Sequence, residues 1–499
     1  MKKVYTLFIA FLLFSTIVNA QWADYQAAEF VVGQPDFTTY QSACSVNGLN
    51  GPYSVAIDFQ HSKLYIGDAD NCRVLRYSYP LTSNQPTPEL VFVQTDFTSN
   101  PAQVYFSSHG YWPSPTASQI LNPMSLAVYN GDLWVLDEFN SRVVKFSQAY
   151  NQSVNNPDAN IVIGQSNFTS INYSCSVNLL KSPWGMSIDS LGNLWVTDSG
   201  HNRVLKFSDV SSLNSGAGAS MVLGQSNFTT GIFTSSATQN QFGLPTSVYI
   251  DGTTAWICDR GFNRILRFDN VYQKSDGANA DAVLGQVNFT SSTTGLSRTT
   301  LNQPFAVCTD AKGNLYVSDQ TNNRVLIYLD AAKKTNGAKA DNVLGQTSFS
   351  GNYGNYGDKG FAPSGSVANF AIDNSRGKLL VIDRIAARVL QFAASGVLTG
   401  IEQNELLPDF DKSKPFNLSV FPNPVATIAN LKFHISNYGD FSLKIYNASG
   451  NEIKVLINKK MDPGIYTVQW NAINEPAGIY ICRLFGGVYS ESILITLIE

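Results

Sequence analysis

Three observations in the 499-residue sequence predict an all-β chain: a six-bladed β-propeller followed by a small antiparallel β-sandwich. An aspartate and an arginine five residues apart recur six times, at Asp68/Arg73, Asp137/Arg142, Asp198/Arg203, Asp259/Arg264, Asp319/Arg324 and Asp383/Arg388. A second word keeps the same rhythm of about 60 residues: VVGQ at Val31–Gln34, VFVQ at Val91–Gln94, IVIGQ at Ile161–Gln165, then VLGQ or its like ending at Gln225, Gln286 and Gln346. After Phe392 the rhythm stops, and residues 417–499 have another texture.

The chain opens with Lys2-Lys3, an apolar run from Leu7 to Val18, and Val18-Asn19-Ala20 as a small-residue cleavage site. Residues 1–20 therefore read as a secretory signal peptide, too short and wrongly flanked for a membrane span. No later segment is long and apolar enough to cross a bilayer, so no transmembrane segment is expected after its removal.

Residues 21–395 carry the repeat. In the third copy, Pro183 to Asp189 is a strand, Ser190 to Asn193 a turn, Leu194 to Thr197 a strand, and Asp198 to Asn202 a turn. Arg203 to Phe207 is the next strand, and Met221 to Gly224 follows a longer polar loop. β-Branched and aromatic residues fill the runs, while Gly, Asn, Asp and Ser punctuate them. Four antiparallel strands per unit in six units describe a propeller. A VVGQ strand precedes the first unit and none follows the last, so Phe30 to Gly33 is expected to complete the sixth blade and close the ring.

Residues 396–416 read as a polar linker, and 417–499 as strands joined by Asn/Ser/Gly turns, consistent with a small sandwich. Charged residues make up 14 %, below the ~25 % of an average soluble protein, and the difference is made up by Ser, Thr, Asn and Gln. A net charge of −4 without a basic tract argues against a nucleic-acid partner. Six cysteines are too few for a disulfide scaffold in so long a chain. Cys258 and Cys308 read as buried small hydrophobes. Cys44 is within reach of Cys72 in one repeat, whereas Cys175 has Asn202 at the matching position, which leaves a bridge open.

The sequence around these words (DSGHNRVLKF at Asp198, DQTNNRVLIY at Asp319) resembles NHL repeats, of the bacterial subgroup with interleaved VLGQ strands. The second copy departs at Val93 and Tyr129, and the sixth at Val367 and Ala387. Residues 417–499 resemble the C-terminal sorting domain of proteins exported by the type IX secretion system of Bacteroidota. The match rests on Phe421-Pro422-Asn423-Pro424, the KIYNASG hairpin with Gly450, and the paired GIY words with Gly464, Tyr466, Gly478 and Tyr480. This resemblance implies the type IX secretion machinery as a partner, and a mature protein that is secreted or held at the outer cell surface.

Chemistry is sparse. Six-bladed propellers include lactonases and lyases that hold a metal in the central channel, which needs convergent His, Asp or Glu. The four histidines do not pair: His434 belongs to the sorting domain, His61 to a hairpin turn, His109 to a loop, and His201 reads as a solvated residue of an Asp–Arg turn. The sixfold Asp and Arg read as structural, the Asp accepting backbone hydrogens in the following turn and the Arg returning in a bidentate pair. Strand-end carboxylates with carbonyls leave a structural calcium open, and no other cofactor is expected. The turn bearing Asp–Arg and the loops after VLGQ emerge on one face of the ring. The loop after Gln94 is the longest and carries Tyr105, Phe106, His109, Tyr111 and Trp112, the candidate contacts for an extracellular glycan or protein ligand. The alternative is that this insertion folds back over the irregular second unit. The function expected is a non-catalytic binding module, with an extracellular enzyme of lactonase or lyase type, or a structural surface-layer component, as alternatives.

Overall fold

The computed structural model describes residues 22–394 and, between 416 and 497, all but 422–424, 426–427, 436–438, 462–463, 474 and 487–488. The leader expected at 1–20 lies outside them, as do the linker expected at 396–416 (Phe416 apart) and Pro422, Asn423 and Pro424.

Six four-stranded antiparallel sheets follow one another along the first unit of the chain. Blade three is typical: Gly185–Ile188, Leu194–Asp198, Arg203–Phe207 and Met221–Leu223 pair in that order. The first strands of successive blades touch, and that of the sixth (Val367–Asp373) touches that of the first (Pro52–Asp58), so the sheets form a closed ring. The N-terminal strand Ala28–Val32 pairs with Arg388–Ala393 and completes the sixth blade, as the order of the words predicts.

Each blade packs an apolar face on its neighbour. Trp134, Trp195 and Trp256, one from each of three second strands, are fully buried there. Burying such a side chain is worth about 3 kcal/mol or less, so the ring is held by the sum of many small faces. Near the axis, hydroxyls stitch blade to blade: Ser54 donates to Pro123 O at 2.9 Å, Ser199 to Pro245 O at 2.6 Å, Thr246 to Phe305 O at 2.7 Å and Ser318 to Val367 O at 2.7 Å.

At the rim, each blade ends in an edge strand whose free backbone would template association. One valine of every edge strand is instead paired to the next unit. The N–H groups of Val31, Val91, Val162, Val222, Val283 and Val343 donate to side-chain oxygens of Asn84, Asn155, Ser215, Asp276, Asn336 and Asp24. Their carbonyls accept from the N–H of the residue that follows each of those caps. The N-terminal segment therefore serves two blades, capping the fifth through Asp24 and Tyr25 and completing the sixth.

The C-terminal unit has two sheets. Phe416–Phe421, Ile428–Ile435 and Gly464–Asn471 form one; Glu452–Met461, Gly439–Asn447, Gly478–Gly486 and Tyr489–Leu497 form the other. They share one core around Leu431, Phe433, Ile445, Trp470 and Leu484, the expected sandwich. The sorting-motif residues that are described build this frame. Gly450 turns the hairpin at φ +82°, Gly464 and Gly478 open strands, Tyr466 stacks on Phe433 at 5.6 Å, and Tyr480 packs on Trp470 at 5.0 Å.

Candidate functional site

The six arginines of the Asp–Arg words, Arg73, Arg142, Arg203, Arg264, Arg324 and Arg388, are fully buried. Each gives Nε to Oδ2 of its Asp at 2.7–2.8 Å. The bidentate pair expected of them is corrected here: the pair is single, because the terminal nitrogens reach backbone carbonyls instead. In blade two, Arg142 Nη1 donates to Phe168 O at 2.7 Å, and Nη2 to Thr116 O and Gln119 O. Nη1 of Arg73, Arg203, Arg264 and Arg324 goes to the carbonyls of Phe97, Phe228, Phe289 and Phe349. Their Nη2 groups go to Gly48 O, Ser176 O, Gln241 O and Ser297 O. Arg388 Nη1 takes Phe37 O and Tyr356 O.

The aspartates also depart from expectation: Oδ1 accepts from the N–H ahead of the blade's first strand, not from the following turn. For Asp68, Asp137, Asp198, Asp259, Asp319 and Asp383 those donors are Asn50, Leu121, Lys181, Gly243, Asn302 and Ala362, at 2.6–3.0 Å. Each word therefore ties three loops on one face of its blade. Burial pushes the carboxyls of Asp68, Asp137, Asp259, Asp319 and Asp383 up, opposed chiefly by the adjacent guanidinium.

The glutamine of the VLGQ word braces the same face. Gln165 donates to Ser141 O and Asn172 O and accepts from Asn172 N–H, and Gln34, Gln225 and Gln346 do the same in their units. His201 is 6 % exposed and corrects the solvated reading: Nδ1 lies 2.9 Å from Asp198 Oδ2 and Nε2 3.0 Å from Tyr173 O. It takes the place that Asn71, Asn140 and Asn322 hold in other units.

After Gln94 the pattern breaks. The segment expected as a loop is a helix, Pro101–His109, capped by Asn100, which accepts from Gln103 N–H, and ended by Gly110 at φ +78°. Without the usual loop, Gln94 Oε1 is buried and unbonded, and Val93, where other units have glycine, sits at φ +65°. The helix gathers the predicted aromatics into two stacks. Tyr105 lies on His109 at 4.0 Å and edge-on to the exposed Tyr111; Phe106 lies on Trp112 at 4.5 Å. Trp112 packs toward Cys72, Ala102 and Leu121 and meets Phe139 at 5.5 Å.

Trp112, alone of the five predicted contacts, lines with Phe139 a groove of about 470 Å³, whose polar lining includes Asn50, Asn71, Gln103, Asn122 and Asp70. Cys44 and Cys72 line it as free thiols, so the bridge left open does not form. Cys44 Sγ donates instead to Ser99 O. Burial pushes Cys44 up and Cys72 up to about 12, away from the thiolate form. Among the described residues, no three His, Cys, Asp or Glu side chains gather as a metal would need.

Residues 180–207 match the NHL repeat, and residues 419–495 match the secretion system C-terminal sorting domain. The ring is thus an NHL-type propeller. Its C-terminal sorting domain marks the chain for secretion to the cell surface by the type IX system. No helix among the described residues is long and apolar enough to cross a membrane.

No curated protein matches the chain significantly. The solved structures it is similar to include an auxiliary nutrient binding protein from Bacteroides ovatus (13 % identity, 75 % of this chain and 77 % of that one, TM-score 0.44). PorZ, a surface component of the type IX secretion system of Porphyromonas gingivalis, is another (14 %, 90 % of this chain and 53 % of that one, 0.37). Virginiamycin B lyase from Staphylococcus aureus is a third (11 %, 70 % and 97 %, 0.38).

Proposed function

We propose that the protein is a non-catalytic recognition module at the cell surface, taking a glycan in the groove beside Trp112. The groove itself carries this reading. It pairs an aromatic wall with carboxamides and one carboxylate, within the few hundred Å³ that small-ligand sites occupy. Flat rings suit sugar faces, and carboxamides, which both donate and accept, suit hydroxyl groups.

The test is titration of the secreted protein with a panel of polysaccharides beside a Tyr111→Ala/Trp112→Ala variant. Loss of an aromatic anchor of this kind typically costs about 2 kcal/mol or more, so saturable binding weakened at least about 30-fold is expected. Binding unchanged in the variant, or a wild-type protein that takes no glycan, would overturn the reading.

A further inference from the structure

The six Asp–Arg turns carry a second set of residues, and these do not repeat. The position directly after each Asp is Ala69, Glu138, Ser199, Arg260, Gln320 and Arg384, blade by blade. The position after Pro52, Pro123, Pro183, Pro245, Pro304 and Val367, at or just ahead of each inner strand, reads Tyr53, Met124, Trp184, Thr246, Phe305 and Ala368. Large aromatics thus come from blades one, three and five, and charged groups from blades two, four and six.

The aromatic rings meet although their blades are not neighbours. Tyr53 lies 5.7 Å from Phe305 and Trp184 5.9 Å from Phe305. Contact between alternate blades of a closed ring is possible only across its axis, so these rings floor the central channel at the loop-rich face. Two guanidinium groups lie on that floor: Arg384 Cζ is 4.6 Å from the Tyr53 ring and Arg260 Cζ 5.6 Å from the Trp184 ring.

Stacking holds a guanidinium flat and leaves its edge free to bond. Each guanidinium has five N–H donors. Arg260 uses Nη2 on Gln303 (2.8 Å) and Gln320 (3.4 Å), and its Nε is buried without a partner. Among the described residues the Arg384 side chain makes no hydrogen bond at all. Its Nη2 stands 3.6 Å from Asp70 Oδ2, and its Nε is also buried and unpartnered. Buried donors left open are costly, and a cationic fork is best completed by a carboxylate. Two carboxyls share the mouth: Asp70 is ion-paired to Arg384 at 3.6 Å, a contact that an entering carboxylate would have to displace. Glu138 accepts from Asn122 Nδ2 at 3.0 Å, and Asp70 also lines the groove described above, so groove and channel mouth share a border.

We infer that the channel mouth is an anion site, with Arg260 and Arg384 receiving the carboxylate of an acidic sugar whose ring rests on Tyr53, Phe305 and Trp184. The sugar identity rests on the glycan reading; the charge rests on the two arginines alone.

The experiment titrates the full secreted protein with oligogalacturonate and with its methyl ester, which differ only in the charged group, following tryptophan fluorescence and heat. The acid binds more tightly by at least about tenfold, the worth of one charge-assisted hydrogen bond, and added salt erodes the difference. An Arg260→Gln/Arg384→Gln variant loses that preference; Arg384→Lys keeps part of it. Acid and ester bound alike by the wild-type protein would overturn the anion site and leave the glycan reading standing. A preference that survives in the double variant would also overturn the site. Neither uronide bound, with a peptide carboxylate bound instead, would overturn the sugar assignment and count against the glycan reading too. The acid-against-ester comparison on the wild type needs no variant to fold.

Discussion

The rim of the ring and its central mouth are built from the same six turns, and they use them in opposite ways. Toward the rim, Asp198 and its counterparts recur in every unit, lie at 0 % exposure and spend their bonds within the blade. Toward the axis, the next residue changes from unit to unit, and at Arg260 and Arg384 it leaves donors unspent. A position that repeats in a repeat protein answers to packing, since each blade poses the same packing problem. A position that varies within the same frame is free to serve a ligand, and individuality sits beside regularity one residue away.

The largest effect that can test this division is Asp198→Ala. It strands the buried Arg203 and the His201 ring, and breaking such a pair costs about 3–5 kcal/mol. Thermal unfolding should move down sharply, with glycan binding intact wherever the protein is still folded. Lost binding at an unchanged midpoint would erase the distinction between rim and mouth. Val93→Gly sets two terms against each other. It relieves a β-branched residue at φ +65°, worth about 1–3 kcal/mol, and gives up a side chain buried in the apolar core, worth about 2 kcal/mol. The denaturant midpoint should therefore move far less than for Asp198→Ala.

The smallest effect lies in the Asx turns after the glutamine. Four hydrogen bonds from Thr38 and Thr39 to Asp36 Oδ1 hold that carboxyl at about 2. A depressed carboxylate stabilises its turn above the unfolded value near 3.8, and that help fades as pH falls toward 2. Asn167 makes the equivalent turn with an oxygen that does not titrate. Amide shifts of Thr38 should therefore move between about pH 4, the ordinary carboxylate value, and about pH 2, while those of Thr169 stay. Asp36→Asn should abolish the difference.

The strands, their order, the closing N-terminal strand and the sorting domain are readable in the sequence because they rest on repeated words. The six edge caps escape such a reading. Asn84, Asn155, Ser215, Asp276, Asn336 and Asp24 differ in type, lie inside polar loops, and act on a neighbouring blade. The carbonyl partners of Arg73, Arg264 and Arg324 escape it too, since they lie 23 to 28 residues away; even the recurring Asp96-Phe97-Thr98, Asn288-Phe289-Thr290 and Ser348-Phe349-Ser350, whose Phe carbonyls take Nη1, carries no mark of its partner. The helix had a visible signal, Asn100-Pro101 at its start and Gly110 at its end, masked by an aromatic run without helical period. The channel mouth needs register: only when Asp259 and Asp383 are known to end second strands does the residue after each face the axis.

The N-terminal latch also sets a timetable. Asp24 bonds Val343, 319 residues away, and Gln34 bonds Ala387, 353 away. The entropy of closing loops grows only slowly with length, so the finished ring loses little stability by joining its ends. Contacts this distant in sequence nevertheless form late. The opening strand therefore has no partner until the last blade has formed, and the ring stays open until then.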